Sequence, residues 1–418
     1  MQEFLRFVNS ANNAFVWLAA QVHWLLVIVP LGWLGMVRWG MWLVKRFIAL
    51  FYRPVRNDYD TTATIVTPVY KEDPVLFRKA VDSWLANGPD MILIVVDVSD
   101  KVCIAIAHEY AAQHTHVRVI EIAEPGKRPA LARGVDLTTT DLVVLVDSDV
   151  IWDPDVLKKL KMPFVNPRIG GVGTRQNMYP SDAVRATFWE RIADIYLDLR
   201  YTDDIRPGVV IEQAISCLSG RTAAYRTKLL QELREPFLNE TFAGRRCMSG
   251  DDKCYTMLVL QSGYLTQCQI NARVYSTFKP TFDGFLKQRV RWARNSWRSD
   301  SKALWQGWVW RHPFLAIMLI ERALSPFLLL VGPITLGVSL ILGRWQVVLA
   351  LLIWWTASRG IKLAVHFVRR PGDIWLLPFY LPLTWFMSFV RMYALATINT
   401  HQWLTRPVAM VNGEAVRL

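Results

Sequence analysis

The sequence predicts an α/β domain, Rossmann-like with a mostly parallel sheet, fused to α-helical transmembrane and interfacial helices. Three observations carry that expectation. Between about residues 58 and 300, short and almost continuously apolar runs alternate with helical patterns, the texture of parallel strands covered on both faces. Apolar runs of membrane-crossing length flank that region. The 19 Trp crowd the ends of those runs, at Trp33, Trp39, Trp42, Trp305, Trp308, Trp310, Trp345, Trp354 and Trp355, as interfacial anchors do.

Composition agrees. The 418 residues are 52% hydrophobic and 20% charged, too apolar for an ordinary soluble enzyme and too charged for a pure membrane bundle. A net charge of +13 suits anionic lipid and an anionic substrate or product. Nucleic acid is not an expected partner: the basic residues gather beside the apolar runs, and no nucleic-acid motif is present. Cys103, Cys217, Cys247, Cys254 and Cys268 have no CxxC spacing and read as reduced, mostly buried thiols. The first apolar run is too long for a signal-peptide core and lacks a cleavage site, so a span is expected rather than a cleaved leader.

In chain order, residues 14–37 carry no Asp, Glu, Lys or Arg and predict a span. Arg38, Lys45, Arg46, Arg53 and Arg56 follow, which puts that end in the cytoplasm and the N-terminus outside. Residues 38–52 alternate Trp and aliphatics with bases and predict an interfacial helix. Strands are expected at 63–68, 91–97, 117–122 and 142–147, with helices near 75–87, 101–113, 128–137 and 252–262. Ala303–Pro313 is Trp-rich and basic, hence interfacial. Residues 323–342 and 346–366 predict two spans joined around Gly343-Arg344. Residues 374–398 hold Pro378, Pro382 and Arg391 and predict a kinked or re-entrant element, with a plain further span as the alternative. The protein is thus expected to be an integral, multi-pass plasma- or inner-membrane protein with its α/β domain in the cytoplasm. The expected divisions are 1–56 (first span and interfacial helix), 57–300 (cytosolic domain), 301–398 (interfacial and transmembrane helices) and 399–418 (tail).

The chemistry-bearing residues fall at strand ends and helix starts. Asp147-Ser148-Asp149 closes a continuous apolar strand; two carboxylates there suit Mg²⁺ or Mn²⁺ and a diphosphate. A DxD alone reads equally as a solvated turn, and its position after a buried strand favours function. Asp97 ends the preceding strand, and Glu72 lies in the loop after Pro68-Val69-Tyr70. Each suits the base or ribose of a nucleotide, and each alone would read as a helix cap. Lys127 and Arg128, after Gly126, offer cations for a diphosphate, against the plainer reading of a basic turn.

Ser249-Gly250-Asp251-Asp252 precedes a helix. One of Asp251 and Asp252 is the candidate general base, its pKa raised by the other; an N-cap explains the pair as well. In Gln288-Arg289-Val290-Arg291-Trp292, a QxxRW pattern, Arg291 suits a diphosphate, Gln288 a sugar and Trp292 the flat face of a pyranose. An interfacial helix is the competing reading. Cys217, Ser219 and Gly220, with Arg221, form a small-residue turn suited to a sugar pocket, as does Arg175-Gln176; generic loops are the simpler account. Glu321, Arg322, Arg359, Lys362 and Arg391 are charges inside apolar stretches. They are expected to face one another or a polar cavity, or to snorkel.

Taken in order, Thr67-Pro68-Val69-Tyr70-Lys71-Glu72, Asp97, Gly126-Lys127-Arg128, the DxD, Ser249–Asp252 and QxxRW resemble the processive family-2 glycosyltransferases. Within them the resemblance is to hyaluronan synthases and, in length and the single N-terminal span, to the pneumococcal type 3 capsular polysaccharide synthase. Cys217-Leu218-Ser219-Gly220 is similar to the family's acceptor-side loop, with Arg221 departing from the hyaluronan-synthase pattern. Trp403-Leu404-Thr405-Arg406 is similar to that group's Trp-Gly-Thr gating loop, with Leu404 in place of Gly. The resemblance implies a GT-A domain, inversion at the anomeric carbon, and a β-linked polymer passed through a channel of the same chain. It implies that Asp97 and Lys127 hold the uridine end, and that Asp149 with Asp147 holds the metal and diphosphate. Asp252 would be the base, Arg291 a diphosphate ligand and Trp292 the acceptor platform, while Trp403 and Arg406 would close over the nucleotide. The partners implied are UDP-sugars, a growing polysaccharide and membrane lipid. A transferase adding one sugar to a lipid carrier is the alternative, and a non-catalytic scaffold a third reading.

Overall fold

The computed structural model describes residues 33–178, 185–400, 408–411 and 414–417. The span expected at 14–37 lies almost wholly outside them, as do Trp403 and Arg406. The chain forms two compact units, one of Ile48–Ala323 with Val390–Leu418, the other of Met1–Phe47 with Leu324–Phe389.

The larger unit holds strands β1 (Ala63–Val69), β2 (Met91–Asp97), β3 (Val117–Ile122), β4 (Leu142–Val146), β5 (Ile151–Trp152), β6 (Ile169–Asn177), β7 (Thr222–Arg226), β8 (Thr241–Phe242), β9 (Arg245–Arg246) and β10 (Leu265–Tyr275). Helices of both units that matter below are α1 (Trp33–Ala49), α2 (Pro74–Leu85), α3 (Lys101–Gln113), α4 (Lys127–Asp136), α5 (Phe188–Arg200), α6 (Asp251–Gln261), α7 (Phe282–Gln306), α8 (Pro313–Ile341), α9 (Trp345–Arg369) and α10 (Leu377–Ala396). Eight strands form one sheet in the order β3-β2-β1-β4-β7-β6-β10-β5. Its first four strands are parallel, as their unbroken apolar runs predict. Beyond β4 the sheet is mixed: β7 runs antiparallel to both β4 and β6, β10 is parallel to β6, and β5 closes the edge antiparallel to β10.

Helices seal the parallel half. α2 buries Phe77, Ala80, Val81 and Trp84, a stripe at i, i+3, i+4 and i+7. Its start is set by Asp73, whose side chain accepts from the Leu76 N–H, and by Pro74 at the first helical position. Full burial of a side chain such as Phe77 stabilises the fold by about 2–3 kcal/mol. α4 packs so tightly on β1 that a Cβ at Gly134 would stand 2.2 Å from Val66 Cγ1. The cysteines match expectation: Cys103, Cys247, Cys254 and Cys268 are buried free thiols, and Cys217 is half-buried.

In the smaller unit, α1, α9, α10 and the later part of α8 expose large apolar side chains, among them Phe47, Ile341 and Val368. α8, α9 and the segment Pro371–Ala396 are each long and apolar enough to cross a membrane. That last segment is a short 3₁₀ turn followed by α10, which runs unbroken past Pro382. The helix therefore has no break at Pro382, and its length and apolar composition suffice for a crossing. Three polar contacts inside this unit join α1 to α9: Trp39 Nε1 donates to Ser358 Oγ at 3.1 Å, Arg46 donates to the Lys362 carbonyl, and the Lys362 ammonium lies over the Trp39 and Trp42 rings.

The Gly134 contact yields a stability prediction. Gly134→Ala forces α4 away from β1 and costs about 1–3 kcal/mol, read as a lowered thermal midpoint of the purified protein.

Candidate active site

Because β1, β2 and β4 are parallel and in register, their carboxyl ends share one rim. The loop after β1 carries Glu72, β2 ends at Asp97, and Asp147 and Asp149 follow β4. The Ser148 hydroxyl donates to Glu72 Oε2 at 2.8 Å, tying the β1 loop to the middle of the DxD. Thr277, in the loop from β10 to α7, donates to Asp149 Oδ2 at 3.3 Å. Burial pushes the Asp149 carboxyl up to about 6, and the neighbouring Asp147 and Glu72 carboxylates push the same way. A rim of hard oxygen donors with surplus negative charge fits a hard divalent cation, with Asp147 and Asp149 to hold it.

The second acidic pair starts α6. Gly250 takes a left-handed φ of +86° at the helix N-cap, and a Cβ there would crowd Asn295 at 3.1 Å. The turn sets Asp251 and Asp252 in the first helical turn, where the helix dipole favours carboxylates. Lys127, at the start of α4, joins the two motifs: its ammonium lies 2.7 Å from Asp147 Oδ1 and 2.7 Å from Asp251 Oδ2. Burial alone would discharge Lys127, but the two carboxylates outweigh it and raise its pKa. Burial likewise works to raise the Asp251 pKa, and Lys127 with Arg128 brings it below the usual range. The expectation that pairing raises a pKa therefore fails for Asp251, because a cation sits against it.

Asp252 is placed differently. Its Oδ2 accepts from the Gly220 N–H at 3.2 Å and from Cys217 Sγ at 3.6 Å, and among the described residues it joins no ion pair. Burial, then the Asp252 charge, pushes the Cys217 thiol up to about 12. Lys127, Asp147, Gly220, Asp251 and Asp252 line one cleft.

α7 braces the acidic loop. Ser249 Oγ donates to Asn295 Oδ1 at 2.8 Å, and Lys253 Nζ pairs with Asp300 at 2.5 Å. Trp292 lies one turn before Asn295, on the same side of the helix. It is half-buried, and the Arg289 guanidinium covers one ring face at 5.1 Å while also lying over Tyr196 and Phe285. Arg291 is half-buried, whereas Gln288 is buried with its Oε1 unmatched.

The structure thus gathers Glu72, Lys127, Asp147, Asp149, Asp251, Asp252, Cys217 and Gly220, with Ser219 beside Gly220 in the same turn. It corrects Arg128. That side chain is buried, and its guanidinium is spent on protein partners, donating to the Phe237 and Ser249 carbonyls and pairing with Glu240. It therefore fastens the acidic loop rather than meeting a nucleotide. Asp97 stands on the rim, buried, accepting from the backbone and hydroxyl of Ser99. Arg175 pairs with Asp198 at 2.9 Å. Of the charges in apolar stretches, Arg322 pairs with Asp300 at 3.2 Å and donates to Ser216, and Arg391 donates to the Arg322 carbonyl, so these two face partners as expected. Thr277, Asn295, Asp300 and Glu240 escaped the sequence reading. Only Asp300, an acid within a basic helix, left a signal there.

Aspartates thus stand at the rim of a parallel sheet, a lysine bridges them to a second acidic pair, and a Trp-bearing helix braces that pair's loop. A family model described as "Glycosyltransferase like family 2" matches residues 61–295, more than half of the chain. The chain belongs to that family. A "Type 2 glycosyltransferase" of Zymoseptoria tritici is 26% identical over 379 residues, covering 85% of this chain and 78% of that protein. An "N-acetylglucosaminyltransferase" of Rhizobium meliloti is 26% identical over 387 residues, covering 87% of each. Among solved structures, the Pyrobaculum calidifontis mannosyltransferase PcManGT, in complex with GDP-Man and Mn²⁺, superposes with a TM-score of 0.61 at 18% identity, over 90% of this chain and 99% of that one. The fold is therefore GT-A-like.

Arg128→Met should destabilise the protein by about 3–5 kcal/mol, because it strands Glu240 and two carbonyls in the interior. Thermal melts of this variant against Lys127→Met, whose partners face the cleft, measure the difference; the Arg128 change should cost clearly more.

Proposed function

We propose that this chain is a membrane-embedded, metal-dependent, inverting glycosyltransferase that polymerises UDP-sugars into a β-linked extracellular or capsular polysaccharide and translocates it. The observation that carries this reading is the joining of the two aspartate motifs in one cleft by Lys127 and Gly220. The names of the rhizobial relatives make N-acetylglucosamine the first donor sugar to test. The Mn²⁺ complex of PcManGT supports a divalent ion here.

Asp147 and Asp149 would hold Mn²⁺ or Mg²⁺, which neutralises the leaving diphosphate when bound. Asp97 and Glu72 would receive the uridine end, and Arg291 and Lys127 would offer charge to the diphosphate. Asp252 is the preferred base because Asp251 is already neutralised by Lys127. It takes the proton of an acceptor hydroxyl; that oxygen bonds to the anomeric carbon from the face opposite the diphosphate, and the bond from the anomeric carbon to UDP breaks. The Gly220 N–H orients the Asp252 carboxylate for this step. Trp292 would seat the acceptor ring, with Gln288, Cys217, Ser219 and Gly220 around it.

Incubating purified protein with a panel of UDP-sugars and sizing the product tests the whole reading. Polymer is the expected outcome; a single glycolipid would instead indicate transfer to a lipid carrier. Asp252→Asn should lower kcat roughly a thousandfold while UDP still binds. Preserved turnover in that variant removes Asp252 as the base. Trp292→Ala should impair elongation more than UDP-sugar hydrolysis, and equal losses would speak against an acceptor platform.

A further inference from the structure

The turn at residues 217–220 meets one oxygen of Asp252 twice, through the Gly220 N–H at 3.2 Å and the Cys217 thiol at 3.6 Å. Leu218, inside the turn, is what seats it there. Its side chain is buried against β6, where a Cβ at Gly171 would stand 2.8 Å from Leu218 Cδ1 and one at Gly173 3.1 Å from Cδ2. Its N–H donates to Thr256 Oγ1 at 2.9 Å. Thr256 lies on α6 and is fully buried. Its own hydroxyl donates to the Asp252 carbonyl at 2.7 Å, one helical turn back. A hydroxyl carries one proton, so Thr256 spends that proton on Asp252 and offers a lone pair to Leu218. One buried oxygen thus holds the backbone of Asp252 and the backbone of the turn that holds the Asp252 side chain. The helix does not need this hydroxyl, since a bond back to the preceding turn adds little to it. The Leu218 N–H does, because a buried donor stripped of its acceptor is costly.

We propose that Thr256 is a positioning residue for the transfer step: its hydroxyl fixes the spacing between the turn at 217–220 and the first turn of α6, and so sets where the Asp252 carboxylate points. The inference rests on reading Asp252 as the base. Valine at this position fills the same volume without the oxygen. The Leu218 N–H then loses its acceptor, the turn lifts from α6, and the Gly220 N–H and Cys217 thiol leave Asp252. Lys127, Asp147 and Asp149 are held by other elements and stay in place. The loss therefore falls on the reacting geometry and spares the hold on the nucleotide.

Two readouts on the full-length protein test this. The first is the rate at which N-ethylmaleimide alkylates Cys217, followed by peptide mapping; the other four thiols are buried and serve as internal controls. Thr256→Val should label Cys217 roughly tenfold faster than the native protein, because the turn opens locally. Thr256→Ser, which restores the oxygen, should label at the native rate. The second readout is UDP release from UDP-N-acetylglucosamine. Thr256→Val should lower kcat by a factor on the order of ten to a hundred while donor KM stays close to native, and Thr256→Ser should recover most of the rate. Should the Val variant not fold, Thr256→Ala makes the same comparison. Native-like labelling or native-like kcat in Thr256→Val overturns the proposal, as does a loss in Thr256→Ser as large as in the Val variant. A rise in donor KM that matches the fall in kcat marks general loosening and overturns it too. Asp252→Asn separates the two levels. Preserved turnover there removes Asp252 as the base, and the labelling rates still decide whether the hydroxyl holds the turn. If Asp252→Asn abolishes turnover while Thr256→Val behaves as native, only the role of Thr256 fails.

Discussion

An ammonium group shared by carboxylates from two different elements is the contact on which the site depends. Lys127 reaches Asp147 at the end of β4 and Asp251 at the start of α6, at 2.7 Å each. Without it, burial and mutual repulsion would drive the two acids apart or protonate one of them. With it, a loop after a strand and a turn before a helix, separated by about a hundred residues of chain, keep one geometry. The residue also distinguishes the members of the second pair: it neutralises Asp251, while Asp252 accepts from the Gly220 N–H and would be the one left for the proposed role of base.

Around this bridge the protein invests buried polar contacts in backbone placement. Arg128 holds the Phe237 and Ser249 carbonyls, and Asn295 receives the Ser249 hydroxyl. Lys253, on the far side of the same turn, pairs with Asp300 of α7. The acidic loop is thus tied on one side to a hairpin-bearing loop and on the other to the long helix that carries Trp292. The proposed role of Asp252 as base would require supports of this kind, because displacement by even an ångström changes reactivity strongly.

The parallel half of the sheet was legible in the sequence because strands buried on both faces must be continuously apolar. β1, β2 and β4 are, and the acids at their ends followed directly. β6 was invisible for the opposite reason. It reads Ile169-Gly170-Gly171-Val172-Gly173-Thr174-Arg175-Gln176-Asn177, with glycines where neighbouring side chains press in and polar residues satisfied only by tertiary partners. Tyr201 bonds the backbone of Thr174 and Gln176, and Asp194 and Asp198 receive Asn177. Arg128 was misread because its partner Glu240 lies 112 residues away, and a Lys-Arg dipeptide after glycine looks the same whether its second cation faces ligand or core. The proline-bearing segment near the C-terminus was ambiguous because a proline marks a broken ladder hydrogen bond without saying whether the helix resumes. Here it does.

One hitch between α7 and the end of α10 has a mechanical consequence. Arg294 donates to the Thr397 hydroxyl, and Arg298 donates to the carbonyls of Ile398 and Thr400. Trp297 donates to the Arg391 carbonyl on the same flank. Two turns of one helix therefore grip the last helical turn and the strand of chain leaving it. A rotation of α7 that re-aims the indole at position 292 would have to drag this exit with it, so displacement of Trp292 and displacement of residues 397–400 form a single degree of freedom.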